Sequence, residues 1–139
     1  MPNHYHVLGT PATQDALSAL GGDLAAGYTR YLNRRLGTTG PCWHERFFSC
    51  PMDDVHFNHA MHYVEHNPQR AGLTVHPWDY PWSSAQAHVT GRDPYRLLTL
   101  TDWADRYPPD IWRELLRQPQ DPAVTEHLRY ATQHSLWLR

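Results

Sequence analysis

Residues 53–67 read DDVHFNHAMHYVEHN and predict a helix that carries four of the 11 histidines of this chain together with a tyrosine and two asparagines. Asp53 and Asp54 suit its N-cap and first turn, because a carboxylate there accepts hydrogen bonds from free backbone N–H groups. Pro68 is expected to end the helix after Asn67, since the residue before a proline disfavours the helical conformation. Tyr63 and Asn67 are four residues apart and therefore lie on one face of the helix.

Two side chains of this helix are suited to catalysis. Tyr63 offers a hydroxyl that becomes a nucleophile once it is ionised, and Asn67 offers an amide oxygen that can bind a hard metal ion. The plainer alternative for Tyr63 is a core position with its hydroxyl at the rim. His59, His62 and His66 crowd the same stretch, and for them a solvated polar face is the plainer interpretation.

Outside this helix the pattern predicts strands and further helices. Residues 4–8 and the aromatic run 43–48 are typical of strands. Apolar residues spaced three and four apart over 16–36 predict a helix, with a possible break at the pair Gly21-Gly22. Later segments predict three more helices: a short one capped by Ser83 that runs through His88, one near Pro109–Arg117 and one from Asp121-Pro122. The order strand, helix, strand, helix and helical tail favours an α+β fold.

His4 and His6 form a His-x-His pair in the first predicted strand. Residues i and i+2 of a strand point to the same face, so the two imidazoles can hold one divalent ion or one phosphate. The alternative is that two of the 11 histidines of the chain fall at this spacing by chance.

Composition limits the class of protein. The chain has 139 residues and a net charge of -2, which fits one domain and argues against a non-specific nucleic-acid coat protein. All 12 of its basic residues are arginine, whose planar fork suits bidentate phosphate contacts. No apolar run reaches the roughly 20 residues that span a bilayer, and no signal-peptide pattern opens the sequence. We therefore expect a cytoplasmic protein without a membrane partner.

A histidine pair, a tyrosine with an acceptor four residues later, and intervening arginines together suit metal-assisted phosphoryl transfer through a covalent tyrosine. Five segments, in this order, resemble those of the single-tyrosine HUH transposases, specifically the REP-associated tyrosine transposases. They are MPNHYHVL (1–8), YTRYLNRR (28–35), PCWHERFFSCPMD (41–53), YVEHNPQRAGL (63–73) and DYPWSSAQAH (79–88).

The resemblance implies a fold and an organisation. Residues 1–90 would form the transposase domain, a ferredoxin-like antiparallel sheet with helices on one face, and residues 91–139 a helical C-terminal extension. Members of the family usually carry a further strand and helix before the M-P-N-H segment. The domain is thus expected to be incomplete at its N-terminus, and an in-frame stretch encoding those elements is expected upstream of Met1.

The resemblance also implies an activity. Tyr63 would be the nucleophile, and His4, His6 and Asn67 would bind a divalent metal, Mg²⁺ or Mn²⁺. The substrate would be single-stranded DNA bearing a palindromic hairpin, cleaved and rejoined through a 5′-phosphotyrosine intermediate. Such an enzyme would work as a monomer or homodimer.

Five arginines are expected to contact DNA phosphates. Four of them lie in the matching segments, and the fifth follows the tyrosine helix; they are Arg30, Arg34, Arg35, Arg46 and Arg70. Ordinary surface solvation is the alternative for the first four. Arg70 can instead cap the C-terminal end of its helix.

Two other functions remain open from the sequence. One is a decayed or domesticated transposase that binds specific DNA without cleaving it. The other is a zinc-binding structural module using Cys42, His44 and Cys50, although their C-x-H-x5-C spacing matches no compact zinc site.

Overall fold

The structure, a computed structural model, describes Met1 and residues 3–134, and this part of the chain is built from helices joined by loops. Its α-helices are α1 (Ala16–Leu36), α2 (Asp54–Arg70), α3 (Ala85–Thr90), α4 (Leu100–Arg106), α5 (Pro109–Arg117) and α6 (Pro122–Gln133). A short 3-10 turn, Pro77–Asp79, precedes α3. No helix within the described residues has both the length and the apolar character needed to cross a membrane.

The predicted ferredoxin-like antiparallel sheet is wrong, because the described residues form no strand. Segments 4–8 and 43–48 are loops. A strand is stable only when its N–H and C=O groups pair with a neighbouring strand, and neither segment has such a ladder. Side chains hold them instead: Leu8 packs against helices, and Trp43 Nε1 donates to the Ala25 carbonyl at 3.0 Å.

Two compact units make up the chain. Gly9–Ser49 form one unit, and Met1–Leu8 with the described residues from Cys50 onward form the other. The division predicted at residue 90 concerns a catalytic domain and an extension, and it stays a prediction. Residues 135–139 of that extension lie outside the described residues.

The first unit is organised by α1, whose predicted bounds are confirmed. The Gly21-Gly22 pair does not break this helix. A Cβ added at Gly21 would stand 2.6 Å from the Phe47 ring, so glycine allows that ring to lie against the helix. The side chains on the apolar face of α1 are 40–57% exposed, as expected of a helix with no sheet beneath it. Its members are Leu17, Leu20, Leu24, Tyr28 and Tyr31.

The second unit has its core on α2. One cluster of buried side chains joins α2, α3, α4 and α5, and it consists of Met61, Ala85, Val89, Trp103, Trp112 and Leu116. A smaller cluster joins α2 to α6 through Ala60, Leu128 and Ala131. Leu8 packs against both clusters, so the first residues of the chain are attached to the faces of α2.

Helix α2 begins where the sequence predicts and ends later than predicted. Asp53 accepts a hydrogen bond from the backbone N–H of His56 at 2.8 Å, which confirms the N-cap. The predicted end after Asn67 is wrong, because the helix passes through Pro68 and ends at Arg70. A proline removes one backbone donor. The last turn is completed by the Ala71 N–H, which donates to the Asn67 carbonyl at 2.9 Å.

Three later helices were expected and one was not. The bounds of α5 and the start of α6 are confirmed, with Asp121 accepting from the Ala123 N–H at 2.8 Å. Helix α3 begins at Ala85, one residue later than a cap at Ser83 predicts, and it ends at Thr90 and not at the predicted His88. The Ser83 hydroxyl accepts from the Ala85 N–H at 3.2 Å. Helix α4 has seven residues, too few for a clear apolar period.

A buried carboxylate joins three elements of the second unit. Glu65 on α2 is completely buried and accepts hydrogen bonds from Ser84, from His88 Nδ1 at 2.6 Å and from Trp112 Nε1 at 2.8 Å. A buried charge is tolerated only when it is paired and hydrogen-bonded. Since these donors come from the residue before α3, from α3 and from α5, Glu65 links both of these helices to α2.

Acid should destabilise this unit through two stacked histidines. The rings of His62 and His66 lie 4.4 Å apart, and His62 Nε2 lies 2.9 Å from the Leu115 carbonyl. Loss of hydration, and then the positive charge of His62, lower the pKa of His66 from 6.5 to about 4. In the unfolded chain His66 takes up a proton near pH 6.5, whereas the folded chain does so only near pH 4. The free energy of unfolding is therefore unaffected by His66 above pH 6.5 and decreases as the pH falls from 6.5 to 4.

The variant His66→Gln should therefore lose less stability than the wild type when the pH falls from 7 to 5. Because the ring is partly solvated, we expect a difference of only about 1 kcal/mol. Urea unfolding at several pH values measures it. The control is His44→Gln, whose side chain is 97% exposed. Parallel curves for wild type and His66→Gln would contradict the prediction.

Candidate functional site

Tyr63 lies at the middle of α2, half-buried, and packs against the cluster that joins α2 to α6. The interpretation of this residue as a core tyrosine with its hydroxyl at the rim describes its packing. It does not exclude chemistry, because an arginine of α6 donates to the hydroxyl and an arginine of α2 lies over the ring, as described below.

The two histidines of the first segment lie beside Tyr63. The ring centroids of His4 and His6 are 5.2 Å apart, and those of His6 and Tyr63 are 6.2 Å apart. Asn3 Oδ1 is 2.8 Å from His4 Nδ1, which fixes one nitrogen of that ring and leaves the other for a ligand. Leu8 anchors the segment on α2, so the pair reaches this position without a strand.

Both imidazoles favour the neutral form that a metal ion requires. Loss of hydration lowers the pKa of His4. It also lowers the pKa of His6, and the positive charge of His4 acts in the same direction. A metal ion competes with protons for imidazole nitrogen, so a lowered pKa reduces that competition near neutral pH.

Asn67 and Arg70 complete the α2 side of the site. Asn67 is buried, and its Oδ1 accepts a hydrogen bond from Arg70 Nη2. Its Nδ2 has no hydrogen-bond partner among the described residues. The guanidinium carbon of Arg70 stands 4.1 Å from the centroid of the Tyr63 ring, a cation–π contact. The contacts of Arg70 are thus with the side chains of Tyr63 and Asn67.

Arg129 is a site residue that sequence reasoning missed. It lies on α6, and its Nε donates to the Tyr63 hydroxyl at 3.4 Å. Residues 91–139 were expected to be a helical extension, and nothing in their pattern distinguishes this arginine from its neighbours.

The other four predicted DNA-binding arginines belong to the first unit. Arg30, Arg34 and Arg35 are exposed on α1, and Arg46 is exposed in the segment that follows it. None of the four lies within ion-pair distance of a carboxylate in the described part of the chain. Their guanidinium groups are thus open to phosphates.

The residues beside Tyr63 fit a divalent metal in their chemistry. Two imidazoles beside Tyr63 and an amide oxygen on α2 with one remaining lone pair are donors of the types that bind divalent metals, and imidazole favours a transition metal such as Mn²⁺ over Mg²⁺. Among the described residues, no three His, Cys, Asp or Glu side chains form a group that could hold a metal. That finding includes Cys42, His44 and Cys50, and so gives the zinc-module alternative no support.

Comparisons with known proteins add no relative. No protein-family model matches the chain, and searches of curated proteins and of solved structures found no match. The chemistry of this site is therefore judged from its own residues.

Proposed function

We propose that this chain cleaves and rejoins single-stranded DNA through Tyr63, as a metal-dependent enzyme of the REP-associated, single-tyrosine HUH transposase type. One observation carries the proposal. His4 and His6 lie more than 50 positions before Tyr63 in the sequence, and the ring of His6 lies 6.2 Å from the Tyr63 ring. The closeness of these two segments, which are distant in sequence, supports a proposed metal-binding pair beside a proposed nucleophile.

The proposed reaction exchanges one phosphodiester for another. The Tyr63 oxygen attacks phosphorus and forms a Tyr–O–P bond while the bond from phosphorus to the 3′ oxygen breaks. The phenol proton is released to water, and the departing oxygen takes up a proton to become a free 3′-hydroxyl. Because the 5′-phosphotyrosine link conserves the energy of the broken bond, the reverse reaction rejoins strands without a nucleotide cofactor.

His4, His6 and Asn67 would hold the divalent ion, Mg²⁺ or Mn²⁺. When bound, the ion polarises the scissile phosphate and neutralises charge that develops on it. The residues of the chain do the positioning: His6 and Arg70 contact the Tyr63 ring on its edge and face and restrict its orientation. A nucleophile fixed near its target gains much of its rate from orientation alone.

The test is formation of a covalent DNA adduct. Wild-type protein is incubated with a labelled hairpin-bearing single strand in Mg²⁺ or Mn²⁺ and analysed on a denaturing gel. A labelled protein band that disappears with EDTA supports the proposal, and mass spectrometry should assign the modification to Tyr63. Absence of any adduct in either metal, with the fold intact, contradicts it.

The histidine pair should control the metal requirement. His6→Ala is expected to slow adduct formation by about 100-fold or more and to raise the Mn²⁺ concentration needed, because one of two imidazole ligands is lost. A titration of adduct rate against Mn²⁺ measures both effects. His44→Ala, which removes a side chain that is 97% exposed, is the matched control. An unchanged metal optimum in His6→Ala would refute the ligand assignment.

A second candidate function is sequence-specific DNA binding without cleavage. It is favoured by the hydrogen bond from Arg70 to Asn67, which occupies one lone pair of the expected third metal ligand. Hairpin binding by the wild type, together with no adduct in either metal, would select this function. Hairpin binding with an adduct selects the enzyme.

A further inference from the structure

The cleft between the end of α2 and α6 has the properties of an anion site. It has a volume of about 470 Å³ and is lined by Arg70, Gln120, Pro122, Thr125, Glu126 and Arg129. This volume lies within the roughly 300–1,000 Å³ of small-ligand pockets. The cleft can thus accept a nucleotide unit as well as a bare phosphate.

Two guanidinium groups converge there on one phenol. Arg70 covers the Tyr63 ring at 4.1 Å, and Arg129 donates to the Tyr63 hydroxyl at 3.4 Å. Neither arginine has a carboxylate within 4 Å among the described residues. Two like charges held at one side chain repel each other, and an anion between them relieves that repulsion.

Helix α6 is docked firmly enough to hold Arg129 in place. Leu128 and Ala131 are 4% and 2% exposed and pack on α2. Gln120, just before the helix, donates to the His59 carbonyl at 2.8 Å. Gln120 and Thr125 also bond to each other. Arg70 commits its Nη2 to Asn67 and Arg129 its Nε to Tyr63, so the other N–H groups of the two guanidiniums are what the cleft offers to an anion.

We propose that this cleft binds a backbone phosphate of the DNA strand through Arg70 and Arg129, which makes α6 part of the substrate site. The inference rests on the proposed function and extends it, because it assigns a DNA contact to the segment after residue 91. Glu126 opposes that contact by its charge and weakens binding of the strand.

Paired variants with opposite expected effects test the inference. Arg129→Gln should weaken binding of a fluorescent single-stranded oligonucleotide by about tenfold, the value of one charge-assisted hydrogen bond. Glu126→Gln should strengthen it. Arg129→Lys should recover part of the lost affinity, because lysine restores the positive charge but not the planar, bidentate guanidinium. Arg117→Gln is the control, since Arg117 is paired with Glu114 at 2.8 Å.

The salt dependence separates a phosphate contact from a structural effect. The binding constant of a single strand falls with salt with a logarithmic slope of about -0.7 per phosphate contact. Arg129→Gln should therefore reduce the slope by about 0.7, with an unchanged melting temperature. Equal affinity and slope in wild type and Arg129→Gln would overturn the inference.

Failure of the proposed function gives a different result. If the wild type binds no single-stranded DNA, the function proposed above is wrong. The cleft is then tested with inorganic phosphate, by following the side-chain N–H signals of the arginines by NMR. A shift that is lost in Arg129→Gln keeps the anion site without the DNA. If phosphate shifts no arginine signal in the wild type, the anion site is overturned together with the DNA contact.

Discussion

Replacing Tyr63 with phenylalanine is expected to abolish the covalent DNA adduct while DNA binding stays within about twofold of the wild type. Phenylalanine lacks the oxygen that we propose as the nucleophile, and loss of a nucleophile reduces turnover by about 10⁴-fold or more. The ring remains, and with it the cation–π contact of Arg70 and the edge contact of His6. The contact that disappears is the 3.4 Å hydrogen bond from Arg129, a small loss of stability.

Gel analysis of the adduct and fluorescence anisotropy of the same labelled strand make this measurement. Tyr130→Phe is the matched control, because Tyr130 is the residue next to Arg129 on α6 and is 56% exposed. It should form the adduct at the wild-type rate. An adduct in Tyr63→Phe at that rate would mean that another residue is the nucleophile, and loss of DNA binding would mean that the substitution had damaged the fold.

The helices that the sequence predicts best are those specified by local signals. The spacing of apolar residues predicts α1, and proline and aspartate near the first turn predict the start of α6. These signals act within one or two helical turns, so they do not depend on contacts with the rest of the chain. Helix α4 has only seven residues and lacks such signals, although Trp103 at its centre is buried.

The two strand predictions were wrong because a strand needs a pairing partner from another part of the chain. Aromatic residues at 43–48 favour extended backbone, but the pairing partner comes from elsewhere. In the structure, the Trp43 side chain bonds to the backbone of α1 instead. Sequence pattern therefore predicted an extended segment and could not predict what it would bind.

The site was predictable in part for a similar reason. His4, His6, Tyr63, Asn67 and Arg70 were selected by residue chemistry and by the order of matching segments, and the structure places them around one tyrosine. Arg129 and Glu65 were missed because each acts through residues distant in sequence. For Glu65 a signal existed, since it lies four residues after the buried Met61 and thus on the core face of α2.

Replacing Glu65 with alanine is expected to cost about 3–5 kcal/mol of unfolding free energy, a large share of the stability of a small domain. The carboxylate is completely buried, and its removal leaves the His88 and Trp112 donors buried with no acceptor. Glu65→Gln should lose less, because its carbonyl oxygen can still accept one of these bonds. Urea unfolding monitored by tryptophan fluorescence measures the three proteins.

Glu114→Ala controls for loss of a glutamate as such. Its partner is Arg117, and the pair is more than half exposed, so we expect a change within about 0.5 kcal/mol. Glu65→Ala should also lose adduct formation, but only in proportion to the unfolded fraction, whereas Tyr63→Phe loses it in the folded state. Near wild-type stability of Glu65→Ala would mean that apolar packing alone docks α3 and α5 on α2. The position of Tyr63 would then be independent of the buried carboxylate two residues away.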